Sequence, residues 1–306
     1  MQIQRSEYGK GLFYGVISYL TWGLFPLYWK MLEHVSSVEI LCHRIIWSCV
    51  FMFIFFRWAK KYTFKQYISS TKQYLSLLFT GTLMTLNWGL YIWAINHHYI
   101  VESSLGYYIN PLFSVLFASV FLKEKLNKAQ KIGILFALVG VLYFTFDYGR
   151  FPIISLVLAT SFAIYGLMKK KMRIDATAAL TVETLWMMPM ALVYVFFLCA
   201  NGDSALNTLN PATVFLLVFA GVVTALPLLW FGKAAERIPL SVLGFLQYLS
   251  PTLQLLLGVV LYGEKFSSSH VVCFSCIWLG LMVYSVDIVR SVRKSKKNIA
   301  KLEVSK

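Results

Sequence analysis

Within long apolar stretches of this 306-residue chain stand a few side chains able to hold or exchange charge. Glu39, His43 and Arg44 share one such stretch, EILCHRIIWS at 39–48, and Glu183 opens another, TVETLWMMP. An ionisable group inside a bilayer is costly, so each marks a candidate site by default. On a helix Glu39 and His43, four apart, share a face and can pair. Arg44 projects roughly 140° away from Glu39, towards a different neighbour. It suits an anionic group on a substrate, or else a buried ion pair or carbonyl clamp that fixes its own helix. Glu183 suits a substrate amine, a proton taken up in a coupled cycle, or a cap at the helix end. In a repeat alignment with an offset near 144 it falls opposite Glu39.

A second constellation combines aromatic rings with amides: Trp22, Asn87, Trp88, Tyr91, Tyr107, Asn110, Tyr165, Trp186, Gln247 and Tyr248. Lipid offers an Asn or Gln no hydrogen bond, so these amides must find protein, water or ligand. Pro111 and Pro251 each free a backbone carbonyl nearby. A cavity lined this way fits a small amphipathic or aromatic solute, although at 17% aromatic content many rings must simply face lipid.

Other features read as structure. Cys42, Cys49, Cys199, Cys273 and Cys276 all lie in apolar runs, an odd set that forms no disulfide framework. Cys273-x-x-Cys276 has no second pair to complete a metal site, so neither metal nor cofactor is expected. G-x-x-x-G at Gly11 and Gly15, and the Ser155, Ala159, Ala163 stripe, mark close helix packing and leave a homodimer open. No G-x-x-x-x-G-K-[ST], H-E-x-x-H or G-x-S-x-G occurs, which removes support for ATP drive and for the common hydrolase mechanisms. The chain is therefore not expected to be an enzyme.

The elements that must position these residues are membrane spans. With 58% hydrophobic and 13% charged residues, the chain carries more apolar side chain than a soluble core can enclose. A hydrocarbon core of ~30 Å takes about 20 residues of helix. Ten stretches qualify: 11–30, 38–57, 74–95, 101–122, 128–146, 152–171, 178–200, 212–233, 239–262 and 269–289. The first is too long for a signal peptide and reads as an uncleaved span.

The chain also repeats itself. LGYYINPLFSVLFASVFLKEK at 105–125 returns as LGFLQYLSPTLQLLLGVVLYGEK at 243–265, and Gly81, Ala94, Pro111, Glu124 and Gly140 each recur 140 residues on. One offset held across five landmarks indicates duplication. The predicted division is a cytoplasmic N-terminus (1–10), a five-helix repeat (11–147), a second five-helix repeat (148–289) and a basic cytoplasmic tail (290–306). Because each unit has an odd number of helices, the second must enter the membrane inverted. Twenty-four of the 28 Lys and Arg fall on one side if both termini are cytoplasmic. That distribution accounts for the net charge of +15 without nucleic acid, since no aromatic binding platform accompanies the charge.

YLTWGLFPLYWK at 19–30, EILCHRIIWS at 39–48, NWGLYIWAINHHYIVESSLGYYINPL at 87–112 and PLLWFGKAAERIPLSVLGFLQYLSPTLQLLLGVVLYGEK at 227–265 resemble the RarD branch of the EamA family, in the drug/metabolite transporter superfamily. The resemblance runs from about residue 8 to residue 287. It implies an all-α integral membrane fold of ten transmembrane helices in two inverted five-helix repeats, a multi-pass location in the cell membrane and a permease role. RarD proteins carry a chloramphenicol-resistance label, and other EamA members export amino acids or small metabolites. The expected function is secondary transport of a small-molecule solute by alternating access, with spans 1, 3, 4, 6, 8 and 9 around the cavity.

Overall fold

The computed structural model describes residues 2–59, 63–97, 99–208, 210–262, 268–283 and 286, and among these no strand occurs. The helices are α1 (Gln2–Gly23), α2 (Phe25–Lys30), α3 (Ser37–Trp58), α4 (Thr71–Asn96), α5 (Ile100–Phe121), α6 (Lys128–Tyr148), α7 (Ile153–Met172), α8 (Ala176–Asn201), α9 (Pro211–Arg237), α10 (Leu240–Leu246) and α11 (Leu249–Tyr262). A further helix, α12, covers Ser268–Val283. Among the described residues eight spans are long and apolar enough to cross a membrane, with α10 and α11 counting as one of them, and α12 is a shorter apolar helix. Glu264, Lys265 and the basic tail lie outside the described residues.

Helix ends follow local chemistry. Asn127 and Gln130 form a reciprocal capping box at the start of α6. Asp175 accepts from the Ala178 amide to start α8, and Asn210 accepts from two amides ahead of α9. Gly149 and Gly202 close α6 and α8 in the left-handed region, at φ 71° and 82°, where a side chain would be strained.

Two of the expected spans are broken. The first divides after Gly23, because Pro26 in the opening turn of α2 has no amide to continue the ladder. The ninth divides at Gln247 and Tyr248, one turn before Pro251. Its repeat counterpart α5 runs unbroken through Pro111, so two segments with a proline at the same register adopt different shapes.

Contacts between the halves exchange partners under the 140-residue offset. α1 packs on α9, and the counterpart pair α7 and α4 also pack together. Likewise α3 on α9 answers α8 on α4, and α5 on α7 answers α11 on α1. The pairs α3 with α8 and α5 with α10 map onto themselves. Glycines show it most closely. A Cβ on Gly133 would lie 3.0 Å from the Gly280 carbonyl oxygen, and one on Gly140 would lie 2.8 Å from that of Cys273. Adding 140 to one partner and subtracting it from the other turns the first contact into the second. Such exchange is the mark of a two-fold axis, which here passes between α6 and α12. In lipid this close backbone approach supplies the van der Waals contact that holds helices together.

Candidate functional site

A cavity of about 370 Å³ lies between the two halves. It is a wedge between α5 and the α10–α11 pair. α5 packs along α10, whereas further along, Ser103, Gly106, Tyr107 and Asn110 of α5 face Ser250, Pro251 and Gln254 of α11 across open space. α1 and α2, α3, α4 and α7 supply the remaining walls. The broken α10–α11 turn carries Gln247 to the lining. The volume lies within the range of about 300–1,000 Å³ usual for small-molecule sites.

Eight of the sequence candidates meet here: Trp22, Arg44, Asn87, Trp88, Tyr91, Tyr107, Asn110 and Gln247. Several of the amides also tie helices together. Asn87 donates to the Leu158 carbonyl at 3.0 Å and to the Ser161 hydroxyl at 2.7 Å, which joins α4 to α7. Asn110 accepts from Ser114 at 3.2 Å within α5. Tyr91 and Tyr107 meet edge to face, with centroids 5.6 Å apart. The guanidinium of Arg44 lies over two indoles, 4.7 Å from the Trp29 centroid and 4.6 Å from that of Trp88. Its Nε donates to the Thr224 hydroxyl at 3.0 Å.

The other candidates lie elsewhere. Glu183 is buried beyond the cavity, among side chains of three helices. One carboxylate oxygen accepts from Thr80 of α4 at 2.5 Å, and the other accepts from Lys169 at 2.7 Å and Tyr165 at 3.3 Å, both on α7. Lys169 and Glu183 are both more than nine-tenths buried, so the carboxylate is already neutralised by an ammonium. A space of about 30 Å³ shared by Arg44, Tyr165 and Glu183 separates this cluster from the cavity. Tyr165 is fully buried and its ring stacks on Phe231. Trp186 faces outward, half exposed, and donates to Thr82. Tyr248 is buried in the hydrophobic cluster around Leu105, Tyr108 and Phe274.

Glu39 is bound through one carboxylate oxygen to the other half. It accepts from the Ser204 hydroxyl at 2.6 Å and the Ala205 amide at 2.9 Å. His43 stands 3.9 Å from it, too far for a hydrogen bond, and its Nδ1 accepts from Trp47 instead. The register that sets Glu183 opposite Glu39 is not the one the helices use. A Cβ on Gly81 would meet the backbone of Glu183, and one on its counterpart Gly221 would collide with Trp47. Gly221 meets Trp47 two turns along α3 from Glu39, so this pair of contacts does not set Glu183 opposite Glu39. Span 8 of the expected ring does not line the cavity, and span 2 does so through Ser37, Ile40 and Arg44.

Sequence reasoning passed over Trp29, Lys169 and Gln254. Lys169 heads a run of three lysines and reads as one more topological charge, yet it lies one turn deeper than a surface residue. Gln254 donates to the Trp22 carbonyl at 3.1 Å and joins α11 to α1. Its spacing of three from Pro251 was the available signal. Nothing local sets Trp29 apart from the other eight tryptophans.

At the end of the bundle away from the cavity, Glu124 caps the start of α10. Its oxygens accept from the Leu240 and Ser241 amides at 2.8 and 3.0 Å and from the Ser241 hydroxyl at 2.6 Å. Lys170 donates to the Ile238 carbonyl at 2.6 Å, and Glu236 accepts from the Ala176 amide at 2.6 Å. Of these, the Glu124 contacts cross the repeat boundary and the other two tie the second repeat together at that end.

The model of the EamA-like transporter family matches the chain twice, at residues 9–146 and 151–286. An "Uncharacterized transporter YojE" of Bacillus subtilis is 45% identical over 300 residues, which covers 97% of this chain and all of that protein. "Protein RarD" of Escherichia coli is 38% identical, covering 94% of this chain and 98% of its own. A "Chloramphenicol-sensitive protein RarD" of Pseudomonas aeruginosa is 28% identical, with 94% and 98% covered. One solved crystal structure superposes with a TM-score of 0.71 over 90% of this chain and 97% of that chain, at 16% identity, a likeness of fold alone.

Proposed function

The chain belongs to the EamA-like transporter family, a multi-pass membrane protein for small-molecule solutes, and from that premise we propose that it is a secondary transporter working by alternating access. The observation that carries this reading is the wedge-shaped cavity at the junction of two counterpart helices, sealed at one end by Glu124 and open-spaced at the other. An uneven closure between halves related by a two-fold axis is what one state of an alternating cycle looks like. Exchanging the shapes of α5 and α10–α11 would seal the present mouth and open the present floor.

The proposed division is a first repeat at 11–147 and a second at 148–289, supported by a family model that matches once in each half. The proposed orientation has both termini cytoplasmic, supported by the distribution of Lys and Arg. In that orientation the cavity belongs to the outer half of the membrane and Glu124 to the cytoplasmic side, an outward-facing state. Trp22, Asn87, Tyr91, Tyr107, Asn110 and Gln247 are the proposed solute-contacting groups. Glu183 and Glu39 act as clamps between helices.

The test compares small molecules in the medium of cells producing the protein with those of cells producing Ile92→Trp, which fills the cavity wall, at equal membrane abundance. Enrichment of one chemical class by the unaltered protein alone is the expected outcome for an exporter. Equal enrichment by both would remove the cavity from the transport path.

A further inference from the structure

We infer that the cavity selects a solute with an anionic headgroup on a flat apolar or aromatic body, and that Arg44 is the residue that reads the charge. This deepens the transport reading and rests on it.

The Arg44 guanidinium lies over two indoles, Trp29 and Trp88, and is tied along one edge by Thr224. That leaves the terminal nitrogens as its unused donors beside the cavity it lines. A guanidinium is a planar fork that meets carboxylate or phosphate oxygens two at a time. Contact with two rings and the bond to Thr224 restrain the fork before any ligand arrives. Among the described residues none of the ion pairs includes Arg44, whereas Lys10, Lys169 and Arg237 each have a carboxylate partner. A cation kept inside the bundle with no counter-charge has its full attraction available for a ligand.

The carboxylates point the same way. Glu39 is taken by Ser204 and Ala205, and Glu183 by Lys169, Thr80 and Tyr165. Neither lines the cavity, so among the described side chains an amine entering it would meet Arg44 and no acid. The site therefore discriminates twice, by attracting anions and by repelling cations. The body of the solute is indicated by rings: Tyr19, Trp22, Tyr91, Tyr107 and Phe162 form much of the remaining wall.

The test uses the full-length protein in lipid nanodiscs and matched ligand sets on phenyl, naphthyl and indolyl bodies: the acetate, its amide, the corresponding ethylamine and the ethyl phosphate. Thermal unfolding shifts measure binding. The expected result is that at least one acetate or phosphate binds roughly tenfold tighter than its own amide, with the amine weakest. Acetate over phosphate would identify a carboxylate solute, and the reverse a phosphorylated one. Arg44→Gln should abolish the margin, Arg44→Lys should retain part of it, and Thr224→Val should narrow it while leaving charge in place. Arg44→Lys and Thr224→Val keep the test alive if Arg44→Gln does not fold. No anion bound in preference to its amide, or a preference that survives Arg44→Gln, overturns the inference. Proteoliposome uptake separates the two readings. Flux of amides or amines without anions would sink the anion site and leave transport standing, whereas anion binding with no flux of any compound would sink transport and leave the site.

Discussion

A buried charge is defined by what it is paired with, and Glu183 illustrates this. Glu183 neutralises Lys169 where both are almost wholly buried, so removing one partner strands the other. Glu183→Gln should lose about 3–5 kcal/mol of stability. Glu183→Gln with Lys169→Met should recover most of that, because stranding an ammonium is worse than having no pair. Thermal unfolding in detergent checks both, and an unaltered single variant would end the clamp interpretation. The residue scale is also where the sequence was hardest to read. It set apart Arg44 and the amide and aromatic residues that do meet in the cavity, because polar groups in apolar runs are visible without any structure. It did not show that Glu183 is already neutralised, since Lys169 looks like one charge among three. Nor did it place Trp186 and Tyr248 outside the cavity. These helices are apolar on every side, so no periodicity tells which face turns inward.

Elements were far more legible than faces. The spans at 38–57 and 178–200 are found at Ser37–Trp58 and Ala176–Asn201, because length and hydropathy alone set them. What escaped was the break in α10–α11. Pro111 and Pro251 occupy equivalent positions, and only the packing of each helix decides which one bends. Two expectations follow at this scale. Gly140 approaches α12 so closely that Gly140→Leu must push the helices apart, at a cost of about 1–3 kcal/mol measured by thermal unfolding. Glu124→Ala removes three hydrogen bonds from the start of α10 and weakens the seal away from the cavity. In a cysteine-free background a reporter at Ser114→Cys, beside Gly244, should then react several-fold faster with an impermeant maleimide from that side. Unchanged reactivity would mean that the cap does not hold the seal.

For the whole molecule, duplication and charge asymmetry together determine the expected placement in the membrane. Reporter fusions at the two ends should both be active in the cytoplasm, and an external signal from either would reverse the assignment. The duplication itself was legible from landmarks at one offset, because glycine and proline positions are set by backbone geometry and resist drift. The two-fold axis needed contacts: Gly133 against Gly280 and Gly140 against Cys273 are a single contact written twice.

That reciprocity bears on energetics as well as shape. If one half is straight where the other is bent, the mirror arrangement keeps the same kinds of contacts with the roles exchanged, and the two arrangements differ only where the repeats have diverged. Under the proposed alternating cycle their free energies should lie within about a few kcal/mol of each other. A machine balanced in this way has no built-in arrow. In proteoliposomes of either orientation, net movement of an uncoupled solute follows whichever gradient is imposed, and the half-saturating concentrations on the two faces should agree within several-fold; a much larger difference between them would show that the balance is broken.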